Sequence, residues 1–162
     1  MLIENLKNPT DESAERCIKM TCAFAHQVID AMLDYALSEC NFTEPQPLWS
    51  SGPVCDMDTR GIYIIHHDDI GIAYIGMGQL KQRRYRHMSM FNKKNGRSKG
   101  SASPAAKKMK EYDKNKKNWS YSYYILPEMY DANIGYVILG KLEEKLCEIH
   151  NPPFNNSSMA GK

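Results

Sequence analysis

The spacing of apolar and polar residues changes repeatedly along the chain, and each change predicts a different element. From Thr10 to about Cys40 the apolar positions Ala14, Ile18, Cys22, Ala25, Ile29, Met32 and Ala36 recur at helical spacing, while Glu15, Lys19, Asp30 and Asp34 fall elsewhere. Thr10 is the expected N-cap, with Asp11 and Glu12 favourable in the first turn. Residues 41–60 carry three prolines and a glycine and read as an ordered connector. The stretch 61–76, "GIYIIHHDDIGIAYIG", has two short apolar runs around a polar turn and predicts a β-hairpin. A helix is expected over 78–91, a flexible basic loop over "NKKNGRSKGSAS", and a short helix capped by Ser103 with Pro104 at its first position. Aromatic alternation predicts a strand over 118–126, and a last helix runs from about Asp131 to His150 until Asn151-Pro152-Pro153 stops it.

Three strands with helices packed on them make a small α+β core with a three-stranded antiparallel sheet, preceded by an N-terminal helical extension. The organisation expected is an extension and connector at 1–59 and a core at 60–162, with a basic insertion at 92–117. At 162 residues this suffices for one core plus an extension.

Charge sharpens the picture. The net +2 hides a segregation: residues 77–118 hold 14 of the 21 Lys and Arg against only Glu111 and Asp113, whereas residues 1–60 hold ten acidic and four basic residues. Clustered cations of this kind suit a polyanion, because they release counterions from phosphates. A solvated helix face with a lysine-rich loop is the plainer alternative. The apolar runs are too short to span a bilayer, which takes about 20 residues, and the start lacks a basic-then-apolar leader. Five unevenly spaced cysteines then read as reduced thiols of a cytoplasmic protein, and none is spaced as in a zinc knuckle.

Candidate chemistry sits in four blocks. Gly61-Ile62-Tyr63 and Tyr74-Ile75-Gly76 bracket the hairpin, with ten residues between the tyrosines. In "QLKQRRYRH", Leu80, Arg83 and His87 share a helix face, and Arg84 also flanks Leu80. In the last helix Ile134, Ile138, Leu142, Leu146 and Ile149 form the expected buried stripe. Glu143 lies about 100° from its centre, where a carboxylate is held yet meets solvent, and Glu144 falls on the far face. Asn155 follows Glu143 by twelve residues. His66, His67, Asp68 and Asp69 form a second possible metal cluster, although turn chemistry alone explains Asp there.

These four blocks, in this order from Gly61 to Asn155, resemble the GIY-YIG nuclease family. One departure is Met77, which stands where many relatives have a lysine. The resemblance implies hydrolysis of phosphodiester bonds in double-stranded DNA with Mg²⁺ (or Mn²⁺). It implies Glu143 as the metal ligand, Arg83 as the phosphate-stabilising cation, and Tyr63 as general base or water-positioning group. Tyr74 and His87 would hold nucleophile or phosphate, and Asn155 would orient its neighbours. With seven residues after Asn155, the plan looks most like the compact type II restriction endonucleases of the family, expected to act as homodimers without a membrane partner. The 10–40 helix then serves dimerisation or covers the core. Gln79, Asn92, Asn95 and Arg97 are base-reading candidates by location only. A nicking or structure-selective nuclease is the second reading, and a non-catalytic DNA-binding protein the third.

Overall fold

The computed structural model describes residues 11–50, 59–92, 103–126 and 132–155. By contacts the chain divides between Glu39 and Cys40. The first unit is the helix α1 (Asp11–Ser38), closed by a bond from the Glu39 amide to the Tyr35 carbonyl. Its Ile18, Met20, Phe24, Val28 and Tyr35 are exposed, and the expected cap Thr10 lies outside the described residues. No described helix is long and apolar enough to cross a membrane.

The second unit is α+β and is built on four antiparallel strands in the order β1-β4-β2-β3. These are β1 (Gln46–Pro47), β2 (Arg60–His67), β3 (Gly71–Gln79) and β4 (Trp119–Ile125). The helices are α2 (Leu80–Asn92), α3 (Pro104–Tyr112) and α4 (Ala132–His150). Four strands replace the three expected, because the connector does more than connect. Gln46 and Pro47 pair with Tyr121 and Ser120, the Leu48 amide donates to the Trp119 carbonyl (3.0 Å), and Thr43 bonds both backbone groups of Tyr123. The contact boundary thus lies before the connector, whose Gln46 and Pro47 form a strand of the sheet and whose Thr43 and Leu48 bond β4.

The residue that fixes this connector is Arg84. Its Nε donates to the Leu48 carbonyl (3.1 Å), and its Nη2 reaches the Pro47 and Ser50 carbonyls and the Ser50 hydroxyl. The guanidinium also lies 5.6 Å from the centre of the Tyr121 ring. A planar fork of donors suits several carbonyls at once, and burying it here is tolerable because Nε and Nη2 both have acceptors.

The hairpin register sorts the side chains. Tyr63 faces Gly76 and Ile65 faces Tyr74 across β2–β3, while a bulge follows Ile65. Directly paired residues share a face, so Tyr63, Ile65, Tyr74 and, on β4, Tyr121 look toward α2 and α3. They join Leu48, Leu80, Phe91, Met109, Trp119 and Phe154 in the main core. Ile62, Ile64 and Ile75 face the other way, where α4 packs on β2 and β3 with Ile138, Leu139 and Leu142 buried.

Local differences from the sequence expectation have simple causes. β3 runs on through Gly78 and Gln79, paired with Gly61 and Arg60, so α2 starts at Leu80 rather than 78. Ile134 and Ile149, near the two ends of α4, are exposed, while its middle buries Ile138, Leu139, Leu142, Leu146 and Cys147. Ser103 stands before α3, yet its side chain makes no capping bond; Pro104 starts the helix instead. Asn151 ends α4 at φ 44°, its amide bonding the Cys147 carbonyl (2.8 Å), a left-handed stop that asparagine tolerates. The remainder of the 92–117 insertion is α3 followed by a 3₁₀ turn at Lys116–Asn118, while 93–102 lie outside the described residues.

Arg84→Met removes the connector's anchor and leaves buried carbonyls without donors, which should lower unfolding stability by about 2–4 kcal/mol in a urea titration. A change below about 0.5 kcal/mol would show that the connector is held by its strand pairing alone.

Candidate active site

The strand order leaves β3 at the edge of the sheet. The layers on the two faces can therefore meet around it, and the sequence candidates converge there from four elements. Tyr63 comes from β2, Tyr74 from β3, Arg83 and His87 from α2, and Glu143 from α4.

Tyr63 is the centre. It is 1% exposed, its hydroxyl lies 3.1 Å from His87 Nε2, and it is hydrogen-bonded to the Tyr74 hydroxyl. Its ring stacks on Tyr121 at 5.7 Å and lies 6.0 Å from the Tyr74 ring. The hydroxyl occupies space beside a backbone that carries no side chain. A Cβ added at Gly76 would stand 2.5 Å from it, closer than nonbonded atoms approach. The same holds at the other glycines of this region. A Cβ at Gly61 would meet the Tyr124 carbonyl at 2.1 Å, and one at Gly78, where φ is +133°, would meet Arg83 Nε at 2.8 Å. So Gly61 lets β4 approach β2, Gly76 seats the phenol, and Gly78 seats the guanidinium.

Burial sets the proton chemistry. It holds the Tyr63 phenol well above its usual value, with Tyr74 adding to the effect and Arg83 opposing it. Burial, then the nearby Glu143 carboxylate, also raises Tyr74, against the hydrogen bond from Tyr63 and the charge of Arg83. His87 is pushed down to about 4 by burial and by Arg83, so the imidazole is neutral at pH 7. The neutral imidazole bonds Tyr63 through Nε2, while its Nδ1 is buried without a partner. Of the two phenols Tyr74 is the less buried.

Two pairs of adjacent residues are separated by their surroundings. The donors of Arg84 go to the connector, whereas exposed Arg83 interacts with Tyr63, Tyr74, His87 and Glu143. Glu143 is half-buried, its carboxyl raised by burial and lowered by Arg83. Glu144 is on the surface 3.4 Å from Lys141. Cys147, a turn after Glu143, is buried and its thiol is raised to about 11, by burial and then by Glu143.

Asn155 acts on the strand, not on the reacting groups. Its Oδ1 accepts from the Ile75 amide (2.8 Å) and its Nδ2 donates to the Ile75 carbonyl (2.6 Å). The Phe154 amide donates to the Ala73 carbonyl (3.2 Å). The closing segment thus lies along β3 on both sides of Tyr74.

The His66–Asp69 turn does not gather into a metal centre. His67 is buried, accepts the Asp69 amide at Nδ1 (3.2 Å) and donates through Nε2 to Asp113 (3.0 Å); His66 bonds Ser122. Asp113 is held below the usual carboxylate range by the Asn115 amide and then by His67, and it ties the end of α3 to the turn. Among the described residues no three His, Cys, Asp or Glu side chains come together to hold a metal. Of the base-reading candidates, Gln79 ends β3, Asn92 ends α2, and Asn95 and Arg97 lie outside the described residues. No family model, curated protein or solved structure matches the chain.

The buried imidazole has a measurable consequence. Its folded pKa is depressed, so between about pH 6.5 and 4 the unfolded chain binds more protons at this site, and stability falls as pH falls. Comparison of the native chain with His87→Gln should isolate a difference on the order of 3 kcal/mol across that window, read from denaturant midpoints. Identical pH profiles would mean that the ring is not buried neutral.

Proposed function

We propose that the chain is a metal-dependent endodeoxyribonuclease of the GIY-YIG kind, hydrolysing phosphodiester bonds in double-stranded DNA, and that it works as a compact, sequence-specific type II restriction endonuclease. The observation that supports this best is the convergence of two hydrogen-bonded phenols, a neutral histidine, an arginine and a half-buried glutamate on one edge strand.

Hydrolysis needs a positioned water, neutralisation of charge growing on phosphate, and help for the departing oxygen. Glu143 fits Mg²⁺ or Mn²⁺. It is a hard oxygen donor, and Mg²⁺ commonly takes one or two carboxylates and fills its other positions with water and phosphate oxygens. When bound, the cation lowers the pKa of its water and offsets phosphate charge. Arg83, seated against Gly78, offers its fork of donors to the phosphate.

Tyr74 is the less buried of the two phenols, which suits it to orient the attacking water. Because burial outweighs Arg83 at both phenols, neither rests as phenolate; they act in this reading as neutral positioning groups. His87 holds the Tyr63 hydroxyl, and Asn155 holds the strand that carries Tyr74. One such site cuts one strand, so a double-strand break calls for two copies, and the homodimer is part of the proposal.

Supercoiled plasmid incubated with and without Mg²⁺, beside Glu143→Ala, tests the reading. Discrete linear fragments that require the cation and disappear in the variant are expected. Open circles alone would move the assignment to a nicking enzyme. Binding without any cutting on several DNAs would overturn the catalytic assignment.

A further inference from the structure

The helices of this chain treat their cations in two ways. Lys19, Lys107, Lys141 and Lys145 each lie within 4 Å of a glutamate one turn away on the same helix. Such pairing is what a solvated helix face normally shows. Helix α2 has no acidic residue in its whole sequence, "LKQRRYRHMSMFN", and its exposed Lys81, Arg83 and Arg86 have no ion-pair partner among the described residues. Arg86 and Lys81 differ in position. Around the helix, Leu80, Arg84, His87 and Phe91 are buried. Arg83 stands on one flank of that stripe, with Arg86 beside it about one turn further on; Lys81 stands on the other flank, about 160° from Arg83.

We infer that Arg86 is a substrate-binding residue that holds the phosphate next to the one at Arg83, so that the nucleic acid strand leaves the site along this flank of α2. The inference rests on the nuclease reading for what Arg83 holds. Cβ atoms three residues apart on a helix are about 5–6 Å apart, and long, flexible arginine side chains that start so close together can each reach one of two successive phosphates of a strand. An arginine with no ion-pair partner among the described residues also loses none of those pairs when it binds. The polyanion is a phosphodiester chain rather than any acidic surface, because the same flank leads into the phenols and Glu143.

Affinity for short duplexes of several sequences should be measured against salt for the native chain, Arg86→Gln, Arg86→Lys and Lys81→Gln. Loss of one phosphate contact lowers the slope of log affinity against log salt by about 1, equally for all sequences. That loss is expected for Arg86→Gln alone, with Arg86→Lys retaining most of the slope. In plasmid cleavage, Arg86→Gln should raise KM several-fold more than it lowers kcat. An unchanged slope in Arg86→Gln overturns the inference, and so does an equal loss in Lys81→Gln, which would mark a diffuse charge effect. A native chain that does not bind DNA overturns it too. If the slopes behave as expected while no plasmid is cut, the binding flank stands and the nuclease reading fails.

Discussion

The phenol of Tyr63 lies where a side chain at position 76 would have to be, and the site is arranged around that close approach. A ring packed against bare backbone in the middle of a hairpin is dry, held on three sides by Tyr121, Tyr74 and His87. Dryness then dictates the rest. A buried hydroxyl must be hydrogen-bonded on both sides, which brings His87 in from α2 and Tyr74 across from β3. It also excludes charge, so the imidazole is neutral and the phenol keeps its proton. Only at the outer edge of this group, at Tyr74, Arg83 and Glu143, does the site become polar enough to meet an anion.

Position around a helix, rather than identity, separates the residues that look equivalent in one dimension. Arg83 and Arg84 differ by about 100° on α2. That step sends one guanidinium to the carbonyls of the connector and the other to the edge of the phenols. Glu143 and Glu144 are separated in the same way on α4, one half-buried and one paired with Lys141. Structural and candidate functional charges are thus interleaved in both helices, and each buried or half-buried one has a partner that makes its position tolerable.

Much of this was legible in the sequence, and the failures share a cause. The hairpin, β4, α3 and α4 follow from local periodicity and punctuation, to within a residue or two at their ends except that β3 runs three residues past Gly76. So does the preference for Glu143 over Glu144, which needs only helix geometry. The fourth strand was not legible: Gln46-Pro47 is two residues long, contains a proline, and exists only because β4 and Arg84 hold it. The choice between the two arginines was equally hidden, since both flank Leu80 and the deciding carbonyls lie some 35 residues away in sequence. Helical spacing alone does not reveal that Ile134 and Ile149 are exposed, because it does not show how much of the length of α4 is covered. The candidate residues are legible in order; the contact of the Tyr63 hydroxyl with His87 Nε2 is not, because it depends on how α2 lies against β2.

The closing segment has one further consequence. By answering the Ile75 amide and carbonyl with its own side-chain amide, Asn155 imitates a neighbouring strand, and Phe154 continues the imitation at Ala73. The margin of the sheet is thereby sealed in its middle, where another chain's strand would otherwise add. Two copies of this protein therefore cannot join by running one sheet into the next across β3; any pairing between them has to be made by side chains on helices and loops, which leaves the two sites free to face a common ligand from separate sheets.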